Sequence, residues 1–168
     1  MRRTILPRGN NILHTPSAEI TDFAAIGNVI TDLRGTLDWV ETRYNFTRAH
    51  GIAAPQIGAL IRVSVIRYQD KEYVLGNPVI VENSGVKEEI REGCLSFFEE
   101  RGSPERFTAV TVDYQDEEGA AQTLEAPNID LASILQHEID HLDGLLYTSR
   151  MAPDQELLHW DSPPMANM

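Results

Sequence analysis

Apolar residues at steps of three and four predict one long helix near the start of the chain. The positions are Phe23, Ile26, Ile30, Leu33, Leu37, Val40 and Tyr44. A helix has about 3.6 residues per turn, so these side chains share one face and are expected to pack on a core. Thr21-Asp22 is typical of a helix start, and the helix is predicted to run to about Tyr44.

Alternating and β-branched segments predict strands through the middle of the chain. We predict strands over residues 62–68, 72–75 and 78–82, and a hairpin made of residues 107–114 and 121–125. The charge-dense residues 99–106 are predicted to be a solvated surface turn. Residues 1–20 contain two prolines and are predicted to be an irregular strap over the core, held by Ile5, Leu6, Ile12 and Leu13.

A second helical pattern lies near the end of the chain and consists of Leu131, Ile134, Leu135, Ile139 and Leu142. This helix is predicted to begin near Asn128 and to be capped by Gly144. Because several strands precede one late helix, we predict an α+β fold with antiparallel or mixed sheets wrapped around that central helix. Residues 1–150 are predicted to form a single domain, and the proline-containing residues 151–168 a partly disordered tail.

The second helix carries the candidate chemistry, in the run Gln136-His137-Glu138-Ile139-Asp140-His141. His137 and His141 are one helical turn apart, so both imidazoles can reach one metal ion. Glu138 is placed to accept a proton from a water at that metal. Asp140 has two interpretations that the sequence leaves open, a support for the metal ligands or an acid on the outer face of the helix.

Two histidines leave a catalytic site incomplete, because such sites normally take three protein ligands and keep one position open. Cys94 is the best candidate for the third ligand, and as the single cysteine it has no internal disulfide partner. It lies in Glu92-Gly93-Cys94-Leu95-Ser96, where a strand is expected to end in a turn. A further stretch of small residues, 51–55, would let a ligand approach the backbone closely, and Gln56 after it can donate an amide hydrogen bond.

Three separated segments together resemble the signature motifs of the peptide deformylases, in order and in spacing. They are Gly51-Ile52-Ala53-Ala54-Pro55-Gln56, Glu92-Gly93-Cys94-Leu95-Ser96 and Gln136-His137-Glu138-Ile139-Asp140-His141. The resemblance implies that Cys94, His137 and His141 bind one divalent metal ion. In the family this is commonly Fe²⁺, with Zn²⁺, Ni²⁺ or Co²⁺ as substitutes. A thiolate and two imidazoles suit several of these metals, so the ligands themselves do not select one.

The resemblance also implies a reaction, the metal-dependent hydrolysis of the N-formyl group from N-formylmethionyl peptides of nascent proteins, with release of formate. Glu138 would be the general base. The side-chain amide of Gln56 and the backbone N–H of Leu95 would stabilise the negative oxygen of the intermediate. The residues expected to contact the peptide substrate are His50, Gly51, Glu92, Ser133 and Ile134. For two of them an alternative stays open, since Glu92 could brace the turn at Cys94 and His50 could turn to solvent.

Some positions depart from the family pattern, so the sequence leaves open a substrate other than N-formylmethionyl peptides. His50 stands where a small or branched apolar residue is usual, Phe97-Phe98 replace a usual proline, and Asp130 and Ser133 replace larger apolar or basic residues. The alternative is therefore a specialised deformylase acting on a formylated small molecule or a particular peptide. A metallopeptidase would need a later third ligand, for which only His159 is available, and a non-catalytic module would need a fourth ligand.

The composition of the chain limits the kinds of binding partner that are expected. The chain of 168 residues has a formal net charge of -12 and a pI of about 4.7, which disfavours nucleic acid and anionic membranes. No segment approaches the ~20 apolar residues of a membrane span, so a cytoplasmic location is expected. The acidic, proline-containing tail does not support a ribosome contact.

Overall fold

The structure is a computed structural model and describes residues 1–44 and 50–159. Two α-helices are present in this part of the chain, α1 (Gly27–Tyr44) and α2 (Ile129–Leu142). The strands are β1 (His50–Ala53), β2 (Val63–Tyr68), β3 (Lys71–Asn83), β4 (Lys87–Glu89), β5 (Glu92–Cys94), β6 (Phe97–Gly102), β7 (Glu105–Phe107), β8 (Val110–Gln115), β9 (Ala121–Ala126) and β10 (Leu158–His159). This α+β composition confirms the predicted fold class.

A five-stranded antiparallel sheet in the order β1-β2-β3-β8-β9 separates the two helices. Val65 and Ile66 are neighbours in β2 and therefore point to opposite faces of the sheet. Val65 packs in one core cluster with Leu33 and Leu37 of α1, whereas Ile66 packs in another with Leu135 of α2. Helix α2 thus lies inside the molecule, as the sequence predicts.

A third apolar cluster lies beside the two histidines of α2, which contact its members Tyr147 and Cys94. It contains Leu13 of the N-terminal strap, Cys94, Phe97 and Tyr147. The sheet that carries this region has the order β10-β6-β5, and a two-stranded sheet pairs β4 with β7. Leu13 is fully buried, and Ile5 and Leu6 pack on core clusters, so these N-terminal residues lie over the core as predicted. Residues Asn11–His14 are a 3-10 turn and not irregular.

The observed ends of α2 agree with the sequence prediction, whereas the beginning of α1 differs from it. The Asn128 side chain accepts a hydrogen bond from the N–H of Leu131, and Gly144, with φ +74°, follows the helix in the left-handed conformation. The predicted first turn of α1, Phe23–Ile26, is instead a tighter 3-10 turn. Its cause is local, because the carbonyl and carboxylate of Asp22 bond the N–H groups of Ala25 and Ala24.

The prediction of two strands over residues 72–75 and 78–82 was wrong, because both belong to the continuous strand β3. The register with β8 shifts between Gly76 and Val79, and again between Ile80 and Glu82. Pro78 lies in the first irregular section, where its missing N–H does not interrupt a regular ladder.

The prediction of a solvated turn over residues 99–106 was also wrong. These residues complete β6 and enter β7, and the side chain of Arg106 is only 2% exposed. Its charge is neutralised by two acids that are distant in the sequence, so the local charge density gave a misleading signal.

The C-terminal residues up to position 159 are held against the rest of the fold. Leu158–His159 pair with β6 as strand β10, and Leu157 packs against the third cluster. Residues 160–168 of the predicted tail lie outside the described residues. The division into a domain over 1–150 and a tail over 151–168 stays a prediction. Neither described helix is long and apolar enough to cross a membrane.

Candidate active site

One sulfur and two imidazole nitrogens converge in the interior. His137 and His141 share one face of α2, and Cys94, at the end of β5, faces them. Potential ligand atoms of the three side chains all lie within 4.8 Å of one another, and Sγ of Cys94 is 3.2 Å from Nε2 of His141. All three residues are buried. The described residues thus bring together the three ligands that the sequence predicts.

The charge states of the histidines follow from their surroundings. Burial lowers the pKa of His141 well below its ordinary value, which leaves a neutral imidazole suited to metal binding. Burial also lowers the pKa of His137, but hydrogen bonds to Cys94 and Glu92 more than offset this and raise it overall. Nδ1 of His137 is 2.8 Å from Oε2 of Glu92, so the carboxylate fixes the ring orientation and leaves Nε2 for the cluster.

Glu138 lies beside this cluster with an unused oxygen. It is 3% exposed, and its Oε2 has no hydrogen-bond partner among the described residues. Burial raises the pKa of Glu138 to about 7. A buried carboxyl group with this pKa can both accept and return a proton near neutral pH.

Gly51 of β1 faces Glu138 at close range. A Cβ atom built on Gly51 would lie 2.7 Å from Oε1 of Glu138, closer than real side chains approach. Only glycine therefore fits at this position without a movement of the carboxylate.

The amide of Gln56 is fixed in orientation next to Cys94. Its Oε1 accepts a hydrogen bond from the N–H of Ala53 at 2.9 Å. Its Nε2 then lies 3.4 Å from Sγ of Cys94 and 3.2 Å from Oγ of Ser96, so the N–H₂ group points towards the cluster. Leu95 follows Cys94 directly and packs its side chain on the α1 core cluster, which holds this turn in place.

The predicted substrate contacts are distributed unevenly around the cluster. Gly51 lies against Glu138, but Nε2 of His50 contacts Oε1 of Glu41 on α1. Ser133 is buried and its hydroxyl donates to the carbonyl of Asp130. Ile134 packs in the core cluster beneath α2. The substrate contacts of these residues, and of Glu92, stay predictions.

Three participating side chains were missed by the sequence analysis. Arg106 donates to both oxygens of Glu92 and to Asp140, and Arg150 donates to Asp140 as well. The ring of Tyr147 lies 5.8 Å from that of His137. No local pattern in the sequence marks these residues. Asp140 is buried, which excludes its interpretation as an outer-face acid.

The arrangement fits a catalytic metal ion. The donor set has one sulfur and two nitrogens, within the described residues, and Glu138, the residue after His137, carries a buried carboxylate oxygen without a partner. A structural site would be closed by a fourth protein ligand. His159, which a metallopeptidase would require, lies exposed in β10 and is not part of the cluster.

The family model for polypeptide deformylase matches residues 2–156. This chain belongs to that family. Among curated deformylases, peptide deformylase 2 of Vibrio vulnificus strain CMCP6 is 38% identical over 144 residues, which are 84% of this chain and 81% of the relative. Peptide deformylase of Heliobacterium modesticaldum is 37% identical over 151 residues, 89% of this chain and 94% of the relative.

Solved deformylase structures have the same fold. The enzyme from Thermotoga maritima superposes with a TM-score of 0.81 at 29% identity, covering 91% of this chain and 99% of that one. The enzyme from Synechococcus elongatus, solved in complex with actinonin, gives a TM-score of 0.79 at 31% identity and covers 89% and 79% of the two chains. The resemblance seen in the three sequence motifs is thus confirmed, and it extends over most of the chain.

Proposed function

We propose that this deformylase hydrolyses the N-formyl group of N-formylmethionyl peptides at the ends of nascent proteins and releases formate. One observation carries the proposal. The buried cluster of Cys94, His137 and His141 lies beside a carboxyl group, Glu138, whose pKa is raised to about 7. Metal-assisted hydrolysis of an amide requires ligands for the metal and, next to them, a general base whose pKa lies near neutrality.

Cys94, His137 and His141 would hold one divalent ion, for which we propose Fe²⁺. When bound, the ion would supply Lewis-acid chemistry and make water more acidic. The family is metal-dependent, and the sulfur and nitrogen donors suit Zn²⁺, Ni²⁺ and Co²⁺ as well. Metal analysis of protein purified without oxygen tests the choice of Fe²⁺, and a stoichiometric content of another metal would contradict it.

The remaining steps belong to the protein's own groups. Oε2 of Glu138 takes the proton from the attacking water and later returns it to the leaving nitrogen. Nε2 of Gln56, already aimed at the cluster, donates to the oxygen that becomes negative, together with the backbone N–H of Leu95. Each such donor is typically worth about 3 kcal/mol in the transition state.

Two edge strands of the protein flank the site, and an extended peptide could pair with the backbone of either one. Strand β1 is an edge strand of the five-stranded sheet, and β5 is an edge strand of the three-stranded sheet. Gly51 of β1 and Cys94 of β5 both border Glu138 or the ligand cluster. We propose that the substrate backbone lies along these edges, which would give main-chain recognition with little demand on side chains.

The decisive experiment is formate release from N-formyl-Met-Ala-Ser by the anaerobically prepared Fe²⁺ protein. Rapid release that depends on Glu138 is expected, and Glu138→Gln should lower kcat by about 10²–10⁴-fold while the metal stays bound. If metal-loaded wild-type protein releases no formate, then turnover of other N-formyl compounds would identify the specialised deformylase that the departures at His50 and Ser133 keep open.

A further inference from the structure

Four charged side chains connect the surface of the molecule to His137. Nδ1 of His137 contacts Glu92, whose two oxygens accept from Nε and Nη2 of Arg106 at 2.8 and 3.0 Å. Nη1 of Arg106 donates to Oδ2 of Asp140 at 2.6 Å. Finally, Nη2 of Arg150 donates to Oδ1 of Asp140 at 2.7 Å, and its Nε lies 3.3 Å from Oδ2.

Arg150 is the outermost member of this ion-pair path. Its side chain is 46% exposed, whereas those of Asp140 and Arg106 are 6% and 2% exposed. It lies outside α2, at the end of the 3-10 turn Tyr147–Arg150. The same turn places the ring of Tyr147 nearly parallel to that of His137, at an angle of 27°. The segment after α2 therefore reaches His137 by two routes, one aromatic and one ionic.

The path is balanced in charge and in hydrogen bonds. Two arginines neutralise two buried carboxylates, and Arg150 is the donor that the described residues provide to Oδ1 of Asp140. Without Arg150, this buried oxygen would turn towards Arg106 and compete with Glu92 for its guanidinium. A less firmly held Glu92 would leave the His137 ring free to rotate away from the cluster.

We propose that Arg150 is a positioning residue for the metal ligand His137, acting through Asp140, Arg106 and Glu92. The inference rests on the proposed function, because it requires that His137 binds the metal. Partners behind a metal-ligating histidine typically change metal affinity by about 10–100-fold. Arg150 would exert this influence although it is half-exposed and lies on a different element.

Release of Co²⁺ to an excess of chelator tests the proposal without using activity. The absorption of the Co²⁺–thiolate pair reports both release and geometry. Arg150→Gln is expected to release Co²⁺ about tenfold faster than the wild type, with a changed spectrum. Arg150→Lys should fall between them, because lysine keeps the charge but lacks the planar fork that binds both oxygens of Asp140.

A matched control is Arg62→Gln. Arg62 also holds the end of α2, donating to Asp143 at 2.6 Å, but it bonds neither acid of the path. The Arg62→Gln variant should release Co²⁺ at the wild-type rate. Circular dichroism and urea denaturation of the metal-free variants separate loss of the fold from loss of positioning.

A purely electrostatic role of Arg150 predicts the opposite change in the rate of Co²⁺ release. If Arg150 acted only through its charge, its removal would leave an extra negative charge, slow the release of the cation, and be fully restored by lysine. Slower or unchanged release from Arg150→Gln would therefore overturn the proposal. Wild-type protein that takes up no Co²⁺ would instead contradict the proposed metal site, and this inference with it.

Discussion

At the scale of single residues, the reactive geometry depends on the missing side chain of Gly51. Gly51→Ala would force the new methyl group against Oε1 of Glu138, 2.7 Å away. Since a displacement of about 1 Å in a catalytic group can cost about 100-fold, kcat/KM for deformylation is expected to fall by about that factor. Steady-state kinetics on an N-formyl peptide measure this, with metal content shown to be unchanged.

Gly27→Ala is the matched control for this substitution. Gly27 has helical backbone angles, and a Cβ atom added there would meet nothing within 4 Å. The variant should keep wild-type activity and gain about 0.5–1 kcal/mol in the free energy of unfolding. Equal losses of activity in the two variants would show that the contact with Glu138 does not matter.

The raised pKa of Glu138 predicts a pH dependence of stability in metal-free protein. The ordinary value is 4.5, and burial raises the pKa to about 7. Below pH 4.5 the carboxyl group of Glu138 is protonated in the folded and in the unfolded state, so it does not change the free energy of unfolding with pH. Between these two values the unfolded state ionises first, so the free energy of unfolding falls, by roughly 3 kcal/mol in all.

Urea denaturation of metal-free wild-type protein and of Glu138→Gln across this pH range isolates the contribution. The wild type should lose stability relative to the glutamine variant as the pH rises from 4.5 to 7, and the difference should then level off. A difference that stays constant with pH would mean that Glu138 ionises normally in the folded protein.

At the scale of elements, α2 is a capped helix whose two ends have separate roles. Asn128 caps the beginning of the helix, and the two histidines proposed as metal ligands lie in its last turns. Asn128→Ala should therefore lower the free energy of unfolding by about 1 kcal/mol and leave kcat unchanged. Denaturation and kinetics on the same preparation measure both quantities.

Asn128→Asp is the companion variant, because aspartate keeps an oxygen that accepts from the N–H of Leu131. It should retain most of the stability that alanine loses. If alanine and aspartate are equally destabilising, neither hydrogen bond accepted by this oxygen, from Leu131 or from the Tyr68 hydroxyl, is the cause.

At the scale of the whole molecule, Arg106 connects three elements. It lies in β7 and bonds Glu92 of β5 and Asp140 of α2, all of them buried. Arg106→Met would leave two buried carboxylates without their shared cation. We expect a loss of about 3–5 kcal/mol in the free energy of unfolding, measured by chemical denaturation.

Arg34→Met provides the contrast. Arg34 pairs with Glu72 and Glu117, but these side chains are between 29% and 40% exposed, so solvent screens the pairs. The expected loss is about 1 kcal/mol or less. Similar losses in the two variants would show that burial does not set the strength of these ion pairs.

The sequence by itself determined those features that depend on neighbours along the chain. The periodicity of α1 and α2, the cap at Asn128 and the glycine at position 144 are local, and each was predicted correctly apart from the first turn of α1. The spacing of His137 and His141 is also local, since one helical turn brings them together. The three motifs then identified the family.

Apart from the approach of Cys94 to the two histidines, which the motifs implied, the tertiary structure decided which distant groups meet. The burial of Arg106, the ion-pair path to Arg150 and the contact of His50 with Glu41 join residues from different elements. A charged residue looks the same in sequence whether it is solvated or neutralised by a buried partner. Its burial is favourable only when the fold delivers that partner, and this depends on the packing of the whole chain rather than on any local pattern.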